Sequence, residues 1–302
     1  MEKEKVVITG GTGLVGLSLT KLLKEEGYQV VHLSRSKNSK GRVKVYLWDY
    51  AKKFIEKGAL DNCSHLIHLA GAGIADERWN FKRKKVLIAS RVDSSAFLCE
   101  YVKENNIPLK SYITSSGINL YDNETDDIHT EESPGTEEFL SKLVVHWEKA
   151  SFALNDYCNV AQVRTSAVLE KNGGALAKIA GVVKIHFGSP IGNGKQWMPW
   201  IHHNDLSRMY LHIMRKGLSG PYNASASQHV NNAEFTKTLA QILDKKMFLP
   251  KVPGSVIQSM YGELSDAVLK GVRASNDKIK KTGFEFEHDN LEAALKEIYK
   301  TK

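Results

Sequence analysis

Between a β-branched run and a leucine-rich stretch stands TGGTGLVG, residues 9–16, which sets Gly10, Gly13 and Gly16 at G-x-x-G-x-x-G spacing. Nothing else in the chain narrows its possible folds as much, because a strand that leaves through such a loop into a helix opens a βαβ unit built around a dinucleotide. Gly10 permits a sharp turn out of the strand. Gly13 lets the backbone approach phosphates with no Cβ in the way, and Gly16 lets the helix pack closely on the sheet. The helix start then offers unpaired N–H groups to a pyrophosphate. A glycine triplet alone often marks only a tight turn, and its place between strand and helix is what supports the cofactor reading.

The rest of the chain alternates in the same way. Residues 6–9 form the first strand, and Leu14, Leu17, Leu19, Leu22 and Leu23 recur near helical spacing until Gly27 ends that helix. Further strands are predicted over 29–33, 43–48, 65–70, 111–115 and 160–164. Between them, residues 84–103 place Leu87, Arg91, Ser94, Leu98 and Val102 three or four apart, and 141–154 behave likewise. Such alternation predicts an α/β fold with a doubly wound parallel sheet, a Rossmann fold. Beyond it come a glycine-rich region (173–194), a Trp/Pro cluster (197–200), and Pro250 and Pro253. The expected division of the 302 residues is a cofactor-binding domain over 1–168, rejoined at about 200–232, and a smaller C-terminal substrate-side lobe from 169–199 and 233–302.

Composition excludes several alternatives. With 42% hydrophobic and 25% charged residues the chain can bury a core, and no stretch reaches the ~18 uncharged apolar residues of a membrane span. The net charge of +8 invites a polyanion, but the lysines are spread, with runs only at 82–85, 245–246 and 278–281. No stacking motif or clustered basic helix accompanies them, so a solvated surface is the better account and no nucleic-acid partner is expected. Cys63, Cys99 and Cys158 are far apart and odd in number, which argues against disulfides and zinc and for a reducing compartment. No metal site is expected. The apolar run at 6–8 is too short for a signal-peptide core, and the protein reads as cytoplasmic.

About 20 residues past the glycine loop, an acid would grip the ribose of NAD and an Arg the 2′-phosphate of NADP. The chain has Ser34, Arg35 and Ser36 there and no carboxylate. NADP(H) is therefore the expected cofactor.

With the glycine loop, HLAGAGI at 68–74 and TSS at 114–116, the first half resembles the extended short-chain dehydrogenase/reductases. RW at 78–79, SRV at 90–92, EESPG at 131–135, FLSKL at 139–143, WEKA at 147–150, GGAL at 173–176 and GNGKQWMPWIHHNDL at 192–206 look like the atypical epimerase-family members sometimes labelled cell-division inhibitors. The stretch from LPKVPG to GFEF is similar to their small C-terminal domain. The resemblance implies that Gly10, Thr12, Gly13, Leu14 and Val15 line the diphosphate, with Gly16 at the helix start. It also implies that Ser34 and Arg35 hold the 2′-phosphate and that Leu69, Ala70 and Gly71 wall the adenine-ribose side. Lys85 and Arg91 would point toward the cofactor, and Val168 would meet its nicotinamide end.

In ordinary members of this superfamily a Tyr, a Lys four residues later and a Ser or Thr on the fifth strand act together in proton and hydride transfer. Lys142 is present, but Glu138 stands four residues before it, and Gly117 falls where the hydroxyl should be, with Ser116 one position away. Lys142 and Ser116 are the catalytic candidates that remain. Trp197, Trp200, His202, His203 and Asp205 form another cluster that could shape a substrate site, with Asp205 read as the N-cap of a helix over 206–214. Two readings follow. One is an NADP(H)-dependent oxidoreductase or epimerase-like enzyme acting on a small molecule as a monomer or homodimer. The other is an NADP(H)-binding regulatory or sensor protein without turnover.

Overall fold

The first strand, β1 (Lys5–Thr9), is buried along its whole length, as a β-branched run in mid-sheet must be. A computed structural model describes residues 3–37 and 43–300. After β1 come α1 (Leu14–Glu25), β2 (Gln29–Ser34), β3 (Lys44–Asp49), β4 (Phe54–Ile55) and β5 (Cys63–His68). Next are α2 (Phe81–Ile88), a π-helical turn (Ala89–Asp93), α3 (Ser94–Glu104), β6 (Ser111–Gly117), β7 (Ile128–His129) and α4 (Phe139–Ser151). The chain continues through β8 (Asn159–Thr165), β9 (Ala167–Leu169), α5 (Gly174–Lys184), β10 (Trp200–His202), α6 (His203–Lys216) and β11 (Gly220–Ala224). It closes with α7 (Asn232–Ile242), α8 (Gly254–Tyr261), α9 (Asp266–Leu269), β12 (Arg273–Ala274), α10 (Asp277–Lys280) and α11 (Leu291–Lys300).

The main sheet runs β11-β8-β6-β5-β1-β2-β3-β4. Its pairs are parallel except β3 with β4. Strand order reverses between β1 and β5, and at such a switch point a crevice opens beyond the strand ends. Alternation along β1 serves both faces. Val6 and Ile8 pack with Leu19 and Leu23 of α1 and Met209 and Ile213 of α6. Val7 packs on the other face with Phe97, Leu98 and Val102 of α3. A third cluster joins Leu176, Trp200, Phe235, Leu239 and Leu295 in the C-terminal half. All three cysteines are free, and among the described residues no helix is long and apolar enough to cross a membrane.

Two local expectations need correction. The single helix expected over 84–103 is interrupted by the π turn, where Ser94 Oγ donates to the Ser90 and Arg91 carbonyls. Such turns are costly and cluster at functional sites, and this one carries the buried Arg91. Asp205 is not the N-cap of its helix. The cap is His202, whose Nδ1 accepts the Asn204 N–H. Asp205 is instead fully buried and accepts the N–H groups of Glu287 and His288 and a bond from Arg208. It clamps the segment before α11 onto α6.

Candidate functional site

Gly10 leaves β1 at φ +68°, and a Cβ there would lie 2.8 Å from the Ala70 nitrogen and the Leu69 carbonyl carbon. The β1 loop and the β5 loop thus touch across the switch point, tied further by Ala70 N–H to Thr9 Oγ1. A Cβ on Gly16 would fall 2.4 Å from the Gly10 oxygen. Gly16 therefore makes room for the loop itself, whereas the sequence pointed to the sheet. A Cβ on Gly13 would meet only the Gly10 oxygen, at 3.2 Å. Gly13 is exposed and precedes α1 with no side-chain cap, so the N–H groups of the first turn face outward unpaired by any side chain. Thr12, Leu14 and Val15 are half-buried around it.

Ser34 ends β2, and Arg35 is exposed just beyond, with no ion pair to any described residue. Leu69 and Ala70 are half-buried and Gly71 is exposed on the opposite rim. A Cβ on Gly71 would sit 3.2 Å from the Arg91 guanidinium carbon, so Arg91 lies directly beneath this rim. Its Nη2 donates to the Ala72 carbonyl at 2.9 Å, and its guanidinium lies 5.3 Å from the Trp147 ring centroid. Arg91 is 7% exposed and no carboxylate among the described residues pairs with it. Burial, with Arg83 nearby, lowers its pKa to about 10. A buried guanidinium without a carboxylate is costly, and an anion brought alongside relieves that cost.

Arg91 lines a cleft of about 210 Å³ whose floor is Ser115, Ser116 and Gly117 of β6 with Thr165 and Ser166 after β8. Its wall is the apolar face of α4, Leu140, Leu143, Val144 and Trp147, at the helical spacing of three and four. Lys142 stands apart from it. The side chain is half-exposed, and its Nζ lies 2.6 Å from Glu137 on the solvent side of α4. Lys142, expected as a catalytic candidate, is thus turned to solvent in this structure and does not line the cleft. Lys85 is likewise exposed, its ammonium over the Phe81 ring, and does not line the cleft. Glu138 stands at the N-cap position of α4 without a side-chain capping bond and pairs with Lys270. Val168, in β9, packs against the core through which α6 meets the sheet.

Ser116 reaches the cleft with a partner that sequence reasoning missed. Its Oγ donates to Glu148 Oε1 at 2.6 Å. Glu148 in turn holds Arg164 at the end of β8 by two bonds of 2.8 Å. Burial works against the Arg164 charge, yet the Glu148 carboxylate bonded to it carries the net pKa upward. Arg164 Nη1 also donates to the Tyr121 hydroxyl and the Glu131 carbonyl. Tyr121 donates onward to Asn223 Oδ1 at 2.6 Å, and burial pushes its pKa up to about 12. A continuous polar chain therefore runs from the cleft floor to β11. On the other side of the floor, the buried Tyr210 hydroxyl of α6 faces Ser115 and Thr165. The available signal was Arg164 itself, a charge in a strand otherwise buried, which requires a counter-charge close by.

The Trp/His cluster does not shape the cleft. Trp200 and His202 are fully buried, and Trp197 donates to Asp126 at the surface. His202, His203 and Glu297 lie close enough to suggest a cation. However, His202 Nδ1 accepts the Asn204 N–H and Nε2 donates to Glu297 at 2.9 Å, which leaves its ring no free lone pair.

Residues 6–225 match the NAD dependent epimerase/dehydratase family, and residues 252–298 match a domain of unknown function, DUF1731. The human epimerase family protein SDR39U1 is 32% identical over 299 residues, spanning 97% of this chain and 99% of the human protein. The epimerase family protein YfhF of Bacillus subtilis is 30% identical over 300 residues, spanning 97% of each. A crystal structure of human SDR39U1 (isoform 2) with NADPH superposes with a TM-score of 0.90 at 30% identity, covering 99% of this chain and 100% of that one.

Proposed function

The chain belongs to the NAD-dependent epimerase/dehydratase family, and from that membership we propose that it is an NADP(H)-binding, epimerase-like oxidoreductase acting on a small molecule. The observation that carries the cofactor is the crevice at the switch point. Gly10 and Gly16 pack the loop, Gly13 leaves its phosphate side open, and Arg35 stands free at the end of β2. The human relative, similar over its whole length, was solved with NADPH. In this reading Gly10, Thr12, Gly13, Leu14, Val15 and Gly16 cradle the diphosphate, and Ser34 and Arg35 take the 2′-phosphate. Leu69, Ala70 and Gly71 wall the crevice, Arg91 brings positive charge to its inner end, and Val168 backs the nicotinamide side. NADP(H) supplies hydride transfer when bound.

For this chain's own residues, the reading assigns the β6–α4 cleft to the substrate, beside Ser116. The C-terminal lobe, 169–199 and 233–302, would bound it on the substrate side. A panel of carbonyl compounds and secondary alcohols, followed by NADPH absorbance with the purified protein, tests the reading. NADPH binding tighter than NADH, with turnover of one compound, supports it; tight binding without turnover favours the second reading, a binding protein that does no chemistry. That alternative draws on one specific observation, the outward turn of Lys142 toward Glu137.

A further inference from the structure

Helix α5 is apolar on both sides. Its Leu176, Ala180 and Val183 pack with Phe235 and Leu239 of α7 and Leu295 of α11, while Val182 and Ile185 stand exposed on the opposite face. The helix ends in a left-handed turn at His186, φ +65°, where the Phe187 N–H bonds the Val182 carbonyl at 3.1 Å. That turn sets Phe187 beside the outer face. Phe248 and Leu249, from the loop after α7, arrive at the same place: the His186 and Phe248 rings lie 6.4 Å apart, and Ser189 Oγ lies within bonding distance of the Leu249 and Pro250 carbonyls. Ile185, Phe187 and Phe248 are 61–72% exposed. Large apolar side chains gathered on open surface mark a place where something else docks.

The charge around this tip is one-sided. Residues 171–204 and 245–262 contain seven lysines and no Asp, Glu or Arg, so these two segments carry nearly the whole net charge of +8. Lys184, Lys246 and Lys251 are exposed, each within two residues of an exposed apolar one. Lys184 lies over the Tyr299 ring and Lys251 donates to the Asn193 carbonyl, so both charges rest on neutral groups. A second copy of the chain fits poorly, because a two-fold contact sets these lysines against themselves. Nucleic acid fits poorly as well, since Val182, Ile185 and Leu249 offer neither a ring to stack on a base nor a polar group to read one. An anionic bilayer answers both features at once. Its hydrocarbon takes the apolar tip, and its headgroups meet ammonium groups carried on long lysine stems. We propose that this tip docks the protein on the surface of an anionic lipid bilayer, with Ile185, Phe187, Phe248 and Leu249 entering the interface and Lys184, Lys246 and Lys251 at the headgroups. None of these residues lines the β6–α4 cleft, and the proposal is independent of the oxidoreductase reading.

The test is flotation of the purified protein with vesicles of pure phosphatidylcholine and with vesicles of equal parts phosphatidylcholine and phosphatidylglycerol. The wild-type protein should partition onto the mixed vesicles at least about tenfold more strongly than onto the neutral ones, the scale set by several lysines near an anionic surface. Added salt should weaken that partition. Phe187→Ser/Phe248→Ser should lose about tenfold or more, because two aromatic rings no longer enter the interface. Lys184→Glu/Lys246→Glu should lose as much on the mixed vesicles. Both variants change exposed side chains only and should keep the wild-type thermal midpoint, which reports that they fold. Lys57→Glu/Lys103→Glu makes the same change of charge at exposed positions elsewhere and should lose far less. An equal loss in that variant would show that net charge alone draws the protein to lipid, and would overturn the docking site. No flotation of the wild-type protein with the mixed vesicles would overturn it too. So would a dimer in free solution that Phe187→Ser/Phe248→Ser converts to monomer, since the tip would then be a contact between copies.

Discussion

Arg164 grips Glu148 through two parallel hydrogen bonds, Nε to Oε1 and Nη2 to Oε2, each 2.8 Å long. Both side chains are largely buried, at 6% and 14% exposure, so neither charge can fall back on water. Removing one partner of such a pair costs about 3–5 kcal/mol, because the other is left uncompensated. Arg164→Met should lose stability on that scale in urea unfolding, and the double variant Arg164→Met/Glu148→Met should recover part of it. A loss below about 1 kcal/mol would mean the pair contributes no more than a surface contact.

The glycines of the loop separate folding from binding. Gly16→Ala sets a Cβ 2.4 Å from a backbone oxygen and should destabilise the protein by about 1–3 kcal/mol, the usual cost of overpacking. Gly13→Ala meets one oxygen at 3.2 Å and should keep its thermal midpoint while binding NADPH at least about tenfold more weakly, about 1.4 kcal/mol. Unchanged NADPH affinity in Gly13→Ala would remove the phosphates from this loop.

Arg35→Ala tests which nicotinamide cofactor the crevice prefers. One charge-assisted bond is worth about 1.5–3 kcal/mol, so NADPH affinity should fall about ten- to a hundredfold while NADH affinity holds. Equal losses for both cofactors, in paired fluorescence titrations, would show that Arg35 does not read the 2′-phosphate.

Lys142→Ala should do very little. Its partner Glu137 is 94% exposed, and solvent screens a pair of that kind almost completely. NADPH affinity and any turnover are expected to match the wild-type values. A large loss of either would mean that Lys142 swings inward when cofactor binds.

Acid should weaken the fold through His68. This ring is fully buried between Thr9 Oγ1 and Ser94 Oγ, and burial first, then Arg91, lowers its pKa from 6.5 to about 3. The unfolded chain takes up a proton below 6.5 that the folded chain refuses until about 3. His68 therefore contributes its stability above 6.5 and loses it as the pH falls, by about 1.4 kcal/mol per pH unit in that window. Urea unfolding at several pH values should give a slope that is shallower by one proton in His68→Gln. Identical slopes would place the acid sensitivity elsewhere.

Local signals made the cofactor half legible. The glycine loop, the alternating strands and the Ser34–Arg35 pair each act within a few residues, so spacing alone reveals them. The polar chain behind the cleft floor is non-local. Ser116, Glu148 and Arg164 lie on three elements that meet only after the sheet forms, and of the three only Arg164, a charge within a buried strand, stands out when taken singly. Lys142 misled for the converse reason, since a motif position does not say which face of α4 is buried; Leu140, Leu143, Val144 and Trp147 decide that. The π turn was hidden because a helix with one extra residue in a turn has nearly the hydrophobic period of a regular one.

One contact bears on the order in which the chain can finish folding. β12, at residues 273–274, pairs with β7 at 128–129, the Ser275 N–H bonds the His129 carbonyl, and Asn223 donates its amide to the Ser275 carbonyl. The polar chain behind Ser116 is therefore completed by residues made late in synthesis. A chain that has already formed its central strands still lacks the brace on Asn223 until residues 273–275 reach β7.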